Sequence, residues 1–180
     1  IVLGAAKSAG ASAEGDILAA HPGVDGPTRA MVATGYDERG AALSPDSRWL
    51  AYVSNEQGTN EVFVRPFPDV GSGKWQVSRG GGSAPLWSHN GRELFYAAGG
   101  KMNAVRIDPS PPFSAEAPRV LFALPAGVRA GSLDRGKFAI SPDDQRFLMV
   151  RDNSWGDMAG TPTLVVVQNF FDELRAKLKR

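Results

Sequence analysis

Two histidines, His21 and His89, are the side chains of this sequence best suited to hold a metal. With carboxylates drawn from Asp16, Asp37, Glu38 or Asp134 they would form a mixed nitrogen and oxygen donor set. Such a set binds a divalent cation such as zinc, and it would serve a hydrolase of esters or phosphoesters. No helical or hairpin spacing brings these residues together, so the sequence predicts no cofactor, with a His21/His89 metal site as the alternative. A Ser-His-Asp triad is spatial and leaves no sequential mark. Gly71-Ser72-Gly73-Lys74 matches the end of a phosphate loop. Pro68 and Trp75, however, stand where that loop needs glycine and a hydroxyl residue, so the segment reads as a hairpin connection. Gly80-Gly81-Gly82-Ser83-Ala84-Pro85 lacks the closing glycine of a nucleophile elbow and reads as a link between structural units. No catalytic residue is assigned.

The elements that must position any site are announced by a phrase that occurs three times. It reads Ser44-Pro45-Asp46-Ser47-Arg48-Trp49-Leu50, then Ser88-His89-Asn90-Gly91-Arg92-Glu93-Leu94, then Ser141-Pro142-Asp143-Asp144-Gln145-Arg146-Phe147-Leu148. Each copy is a polar turn running directly into an apolar strand. Proline presets φ for the first corner of a type I turn, and aspartate bonds the amides that follow. Asn90-Gly91 predicts a two-residue hairpin turn with positive φ at both positions. A repeat of about 40–50 residues means a propeller or another array.

Counting strands outward from each copy predicts an all-β fold of four-stranded antiparallel blades. Residues 1–35 form a partial blade with strands at 1–6, 16–20 and 28–33. Residues 36–80 and 81–126 form two full blades, and 127–168 a partial blade that lacks its fourth strand. A short amphipathic helix over 169–180 is expected to close the chain, capped by Asn169, with Phe170, Phe171, Leu174 and Leu178 on one face. Charge adds little: 20 basic against 19 acidic residues give a net charge of +1, which argues against a nucleic-acid surface. With no cysteine, thiolate metal sites and disulfides are excluded. No apolar run reaches the length of a membrane span. The opening Ile1–Ala6 reads as a strand cut at its amino end, which implies a longer parent protein.

The stretch from Ala42 to Ser54 is similar to the TolB-type, WD-repeat-like β-propeller family, as is Asn60-Glu61-Val62-Phe63-Val64-Arg65-Pro66-Phe67-Pro68. So are Lys74-Trp75-Gln76-Val77-Ser78, Gly91–Tyr96 and Phe138–Asp143. The likeness is closest to propellers at the carboxyl end of bacterial transmembrane serine/threonine kinases. It implies a non-catalytic ligand- or protein-binding module from a larger sensor or kinase, with the propeller extracytoplasmic and the parent anchored in the membrane. Kinase motifs are missing, so no kinase activity is implied. The family's turns carry glycine after Pro-Asp, where Ser47 and Asp144 stand here, so these turns are expected to be strained. Propeller geometry gathers the loops that lead into each innermost strand on one face. Asp37, Glu38, Arg79, Asp134 and Arg135 are therefore the candidate ligand-binding residues. Roughly three and a half blades leave strand edges unpaired, so two chains are expected to meet as a homodimer through their unfinished blades.

Overall fold

Runs of β-branched and aromatic residues separated by Ser-Pro-Asp, Asn-Gly and Gly-Gly turns produce strands and nothing else among the described residues. The computed structural model describes residues 2–7, 15–20, 27–110, 112–128, 138–151 and 163–167, with the first and last stretches considered as strand backbone. The first sheet holds β1 (Val2–Lys7), β2 (Gly15–Ala20) and β3 (Arg29–Val32). The second holds β4 (Glu38–Leu43), β5 (Trp49–Ser54), β6 (Glu61–Pro66) and β7 (Trp75–Gln76), in that spatial order. In the third, β8 (Ser83–Trp87), β9 (Glu93–Ala98) and β10 (Lys101–Asp108) run side by side. The outer edge of β10 is shared by β11 (Ser114–Ala115) and β12 (Arg119–Ala123). The fourth sheet holds β13 (Phe138–Ile140), β14 (Phe147–Arg151) and β15 (Thr163–Val167). All pairings are antiparallel. The two-residue β11 was not expected from sequence, and the helix expected over 169–180 lies outside the described residues.

Both faces of the inner sheets are buried, which explains why β5 is closed to solvent along its whole length. Side chains alternate between faces along a strand. On β5, Leu50 and Tyr52 join Ile17, Met31 and Phe63 in the core against the first sheet. Trp49, Ala51 and Val53 point the other way, joining Val62, Leu94, Tyr96 and Val105 against the third sheet. Phe95 and Ala97 of β9 face the fourth sheet with Met102, Phe147 and Met149. Each fully buried large side chain here contributes about 1.5–3 kcal/mol of transfer free energy. Trp87 ties second and third sheets further, its indole N–H donating to the Ala42 carbonyl at 3.1 Å.

The repeated phrase folds the same way three times. The N–H of Ser47, Gly91 or Asp144 closes a turn onto the carbonyl of Ser44, Ser88 or Ser141, at 2.8, 3.0 and 2.8 Å. That carbonyl is then taken, so the hydroxyl of the same serine replaces it as acceptor for the returning strand. It receives the N–H of Trp49, Glu93 or Arg146 at 3.0, 2.9 and 3.0 Å. Asp46, Asn90 and Asp143 in turn accept both the serine hydroxyl and the amide two residues on. Burial pushes the Asp46 carboxyl up, but the Ser44 hydroxyl and Arg48 together carry it below its ordinary value. The Ser141 hydroxyl, then the Gln145 amide, lower Asp143. The fourth turn residue is left-handed in every copy: Ser47 at φ 56, Gly91 at φ 69 and Asp144 at φ 56. The strain expected at Ser47 and Asp144 is therefore present, because a Cβ disfavours this region. Asn90 does not share it, so the middle turn is not the paired positive-φ hairpin read from Asn-Gly.

Candidate functional site

Opposite the serine turns, the second sheet ends in a row of three polar residues. Glu38 opens β4 and pairs in register with Ser54, the last residue of β5. Ser54 pairs with Glu61, the first residue of β6. All three are at most 3% exposed. A buried carboxylate must be hydrogen-bonded or neutral, and the lead-in loops supply the donors. Thr34 gives Glu38 its hydroxyl and, at 3.3 Å, its backbone N–H. Burial raises the Glu38 pKa, the Thr34 bonds pull it back, and nearby Asp16 and Glu56 raise it further. Glu61 accepts the Ser78 hydroxyl and the Gly81 N–H, the latter at 2.8 Å. Burial, then the charge of Glu61, pushes the Tyr96 hydroxyl up to about 12.

Asp37 knits three loops together. Its carboxylate accepts the Gly15 N–H at 3.1 Å and pairs with Arg39 at 2.7 Å, while its own N–H donates to Asn55 Oδ1 at 2.9 Å. Arg39 also reaches Asn60 Oδ1 at 3.3 Å. Beyond this row, Lys74 and Glu56 pair at 2.5 Å.

The same rim recurs one blade on. Thr34 and Ser78, Gly40 and Ala84, and Ser44 and Ser88 each stand 44 residues apart. Gly40 and Ala84 are both left-handed, at φ 63 and 50, and both sit where the innermost strand bulges against its neighbour. A bulge at this point re-aims the chain entering the strand. Thr34 and Ser78 each present a hydroxyl to a buried glutamate, but from different strands: Glu38 belongs to β4 and Glu61 to β6. The position equivalent to Glu38 is Gly82, where an added Cβ would collide with the Ser78 hydroxyl.

Asp37 and Glu38 thus lie together on the expected face, in company with Asn55, Asn60 and Glu61, which sequence reasoning did not single out. Arg79 is exposed in the link leading into β8. In the preceding link, exposed Tyr36 stands one residue after Gly35, the position 44 residues before Arg79. Asp134, Arg135 and His21 lie outside the described residues. His89 sits in the serine turn at the far end of the third sheet, away from Glu38, with its ring against Asp144. Among the described residues no three His, Asp or Glu side chains converge as a metal site.

No family model matches the chain, and no curated protein matches it. Solved structures do. TolB from Acinetobacter baumannii superimposes with a TM-score of 0.61 at 12% identity, over 93% of this chain and 38% of that one. A protein assigned as TolB from Agrobacterium tumefaciens gives 0.59 at 12% identity, over 87% and 54%. An oligogalacturonate lyase in complex with manganese gives 0.53 at 15% identity, over 93% and 44%. The chain therefore spans about half or less of the length of each structure it matches. At these identities the likeness speaks for architecture, and it agrees with the four-sheet, doubly buried arrangement described above. The chain has the fold of a TolB-type β-propeller.

Proposed function

We propose that this chain is a non-catalytic binding module that takes a protein, peptide or small ligand on its lead-in face. One observation carries this reading. The acidic groups of that face are occupied by the chain's own donors, whereas Tyr36, 47% exposed, and Arg79 project from successive loops of the same rim. An aromatic and an arginine held by a rigid rim are the residue types that anchor partners. The experiment is photo-crosslinking from position 36 in an extract of the source organism, with and without Arg79→Glu. A discrete adduct that Arg79→Glu abolishes supports the reading. An adduct indifferent to Arg79 sinks it.

An enzymatic role is the second reading, favoured by the buried, pKa-raised carboxyl of Glu38 and by the likeness to a manganese-bound lyase. It takes the form of a hydrolase of esters or phosphoesters. Turnover of such substrates that falls with Glu38→Gln would favour it over the first. In either case we place the module extracytoplasmically, as part of a membrane-anchored sensor or kinase, on the resemblance of its phrases. Among the described residues no helix is long and apolar enough to cross a membrane. We also propose that two copies associate through their unfinished blades, with the outward face of β14 in the last described sheet taking part, where Leu148 and Val150 are each 38% exposed beside an apolar cleft of about 250 Å3.

A further inference from the structure

At the serine-turn end of the third sheet, away from the lead-in face, lies an open cleft of about 1010 Å3 whose lining mixes charged side chains with apolar surface. That is at the upper end of the range of about 300–1,000 Å3 typical of ligand sites. Three arginines line it, and the chain neutralises them unequally. Arg119 is held by Glu93 at 2.5 Å. Arg106, the register partner of Glu93, meets among the described acidic residues only Glu116, at 4.0 Å, with both side chains about two-thirds exposed. Such a pair contributes little. The Arg92 guanidinium has no hydrogen bond or ion pair with any described residue, and its backbone carbonyl joins it to β10 by accepting the Ile107 N–H at 2.8 Å. Asp108 lies within electrostatic range of Arg92 but makes no ion pair with it. Its carboxylate is turned onto the Ser110 N–H at 3.0 Å.

The geometry points to this cleft as a binding site for a ligand carrying at least two carboxylates, which would engage Arg92 and displace Glu116 from Arg106. Guanidinium forks favour planar carboxylates, and two of them in one cleft favour a polycarboxylate over a single anion. Two sources share this chemistry: a small tricarboxylate and an acidic peptide segment. The site is separate from the Tyr36/Arg79 face, so either can fail without the other.

Calorimetric titration of the full chain with propane-1,2,3-tricarboxylate, and separately with an acetylated tetraglutamate peptide, tests it. The expected result is saturable binding of at least one probe. Arg92→Gln/Arg106→Gln should weaken it roughly tenfold or more, while Lys101→Gln, at the other end of β10, leaves it unchanged. Binding of the tricarboxylate alone identifies a small ligand, and binding of the peptide alone a peptide. The proposal is overturned if neither probe binds, if the double variant binds as wild type does, or if Lys101→Gln weakens binding as much. A second variant, Arg92→Glu, confirmed as folded by circular dichroism, should abolish binding by itself.

Discussion

The ring nitrogen Nδ1 of His89 lies 2.6 Å from Asp144 Oδ1, and the His89 backbone N–H reaches both oxygens of that carboxylate, at 3.0 and 3.1 Å. Both are places where the serine-turn copies depart from one another: His89 stands where the other two copies have proline, and Asp144 where the first has serine and the middle one glycine. The departures meet across a blade boundary. Proline at position 89 would have no N–H to give, and glycine at 144 no carboxylate to receive it.

The pair should therefore be energetically coupled. A double-mutant cycle of His89→Ala and Asp144→Ala, followed by denaturant unfolding, should give a coupling of about 0.5–1 kcal/mol, modest because His89 is half exposed. Asp144→Gly should cost less than Asp144→Ala, since glycine relieves the left-handed backbone while alanine keeps its strain. Additivity of the two alanine substitutions would show that the contact does not join the blades.

Glu38 and the turn aspartates should respond to pH in opposite senses. The folded pKa of Glu38 is raised, so ionisation of this buried group costs stability at neutral pH. That cost disappears as pH falls through the raised value towards the ordinary 4.5. Glu38→Gln should therefore melt higher than wild type at pH 7.5, and the gap should narrow towards pH 4.5. Asp46 and Asp143 are lowered, so their contribution is complete above 3.8 and is lost only as pH falls further. A Glu38→Gln gap of constant size across this range would refute the assignment of burial as the dominant influence.

Association through β14 is measured by light scattering. Wild-type protein is expected at twice the 19.1 kDa chain mass, and Leu148→Asp at the single mass. A wild-type monomer at micromolar concentration, or a dimer that Leu148→Asp leaves intact, would exclude this face as the contact.

The repeat made the strands legible because each serine phrase carries its whole turn locally: the hydroxyl, the side-chain acceptor two residues on and the left-handed fourth position. The lead-in face was legible to the same extent. Asp37 and Glu38 could be placed by the rhythm of the innermost strands. Glu61 could not, because an acid opening an apolar strand looks the same whether it meets solvent or a serine 17 residues later. The pairing of His89 with Asp144 was equally hidden, since it joins residues 55 apart that lie close only once two blades pack. The middle turn was misread because Asn90 spends its side chain on Ser88 and Arg92, which fixes its backbone outside the positive-φ region expected of Asn-Gly.

Each of the three apolar cores lies between consecutive sheets, and none spans more than two. Cohesion in such a molecule is a sum over nearest neighbours. Weakening one boundary, for instance at Phe147, frees the blade beyond it and leaves the Trp49–Leu94 boundary whole. Melting should then proceed by sheets from an end inward, and a single midpoint temperature would average over several partly assembled species.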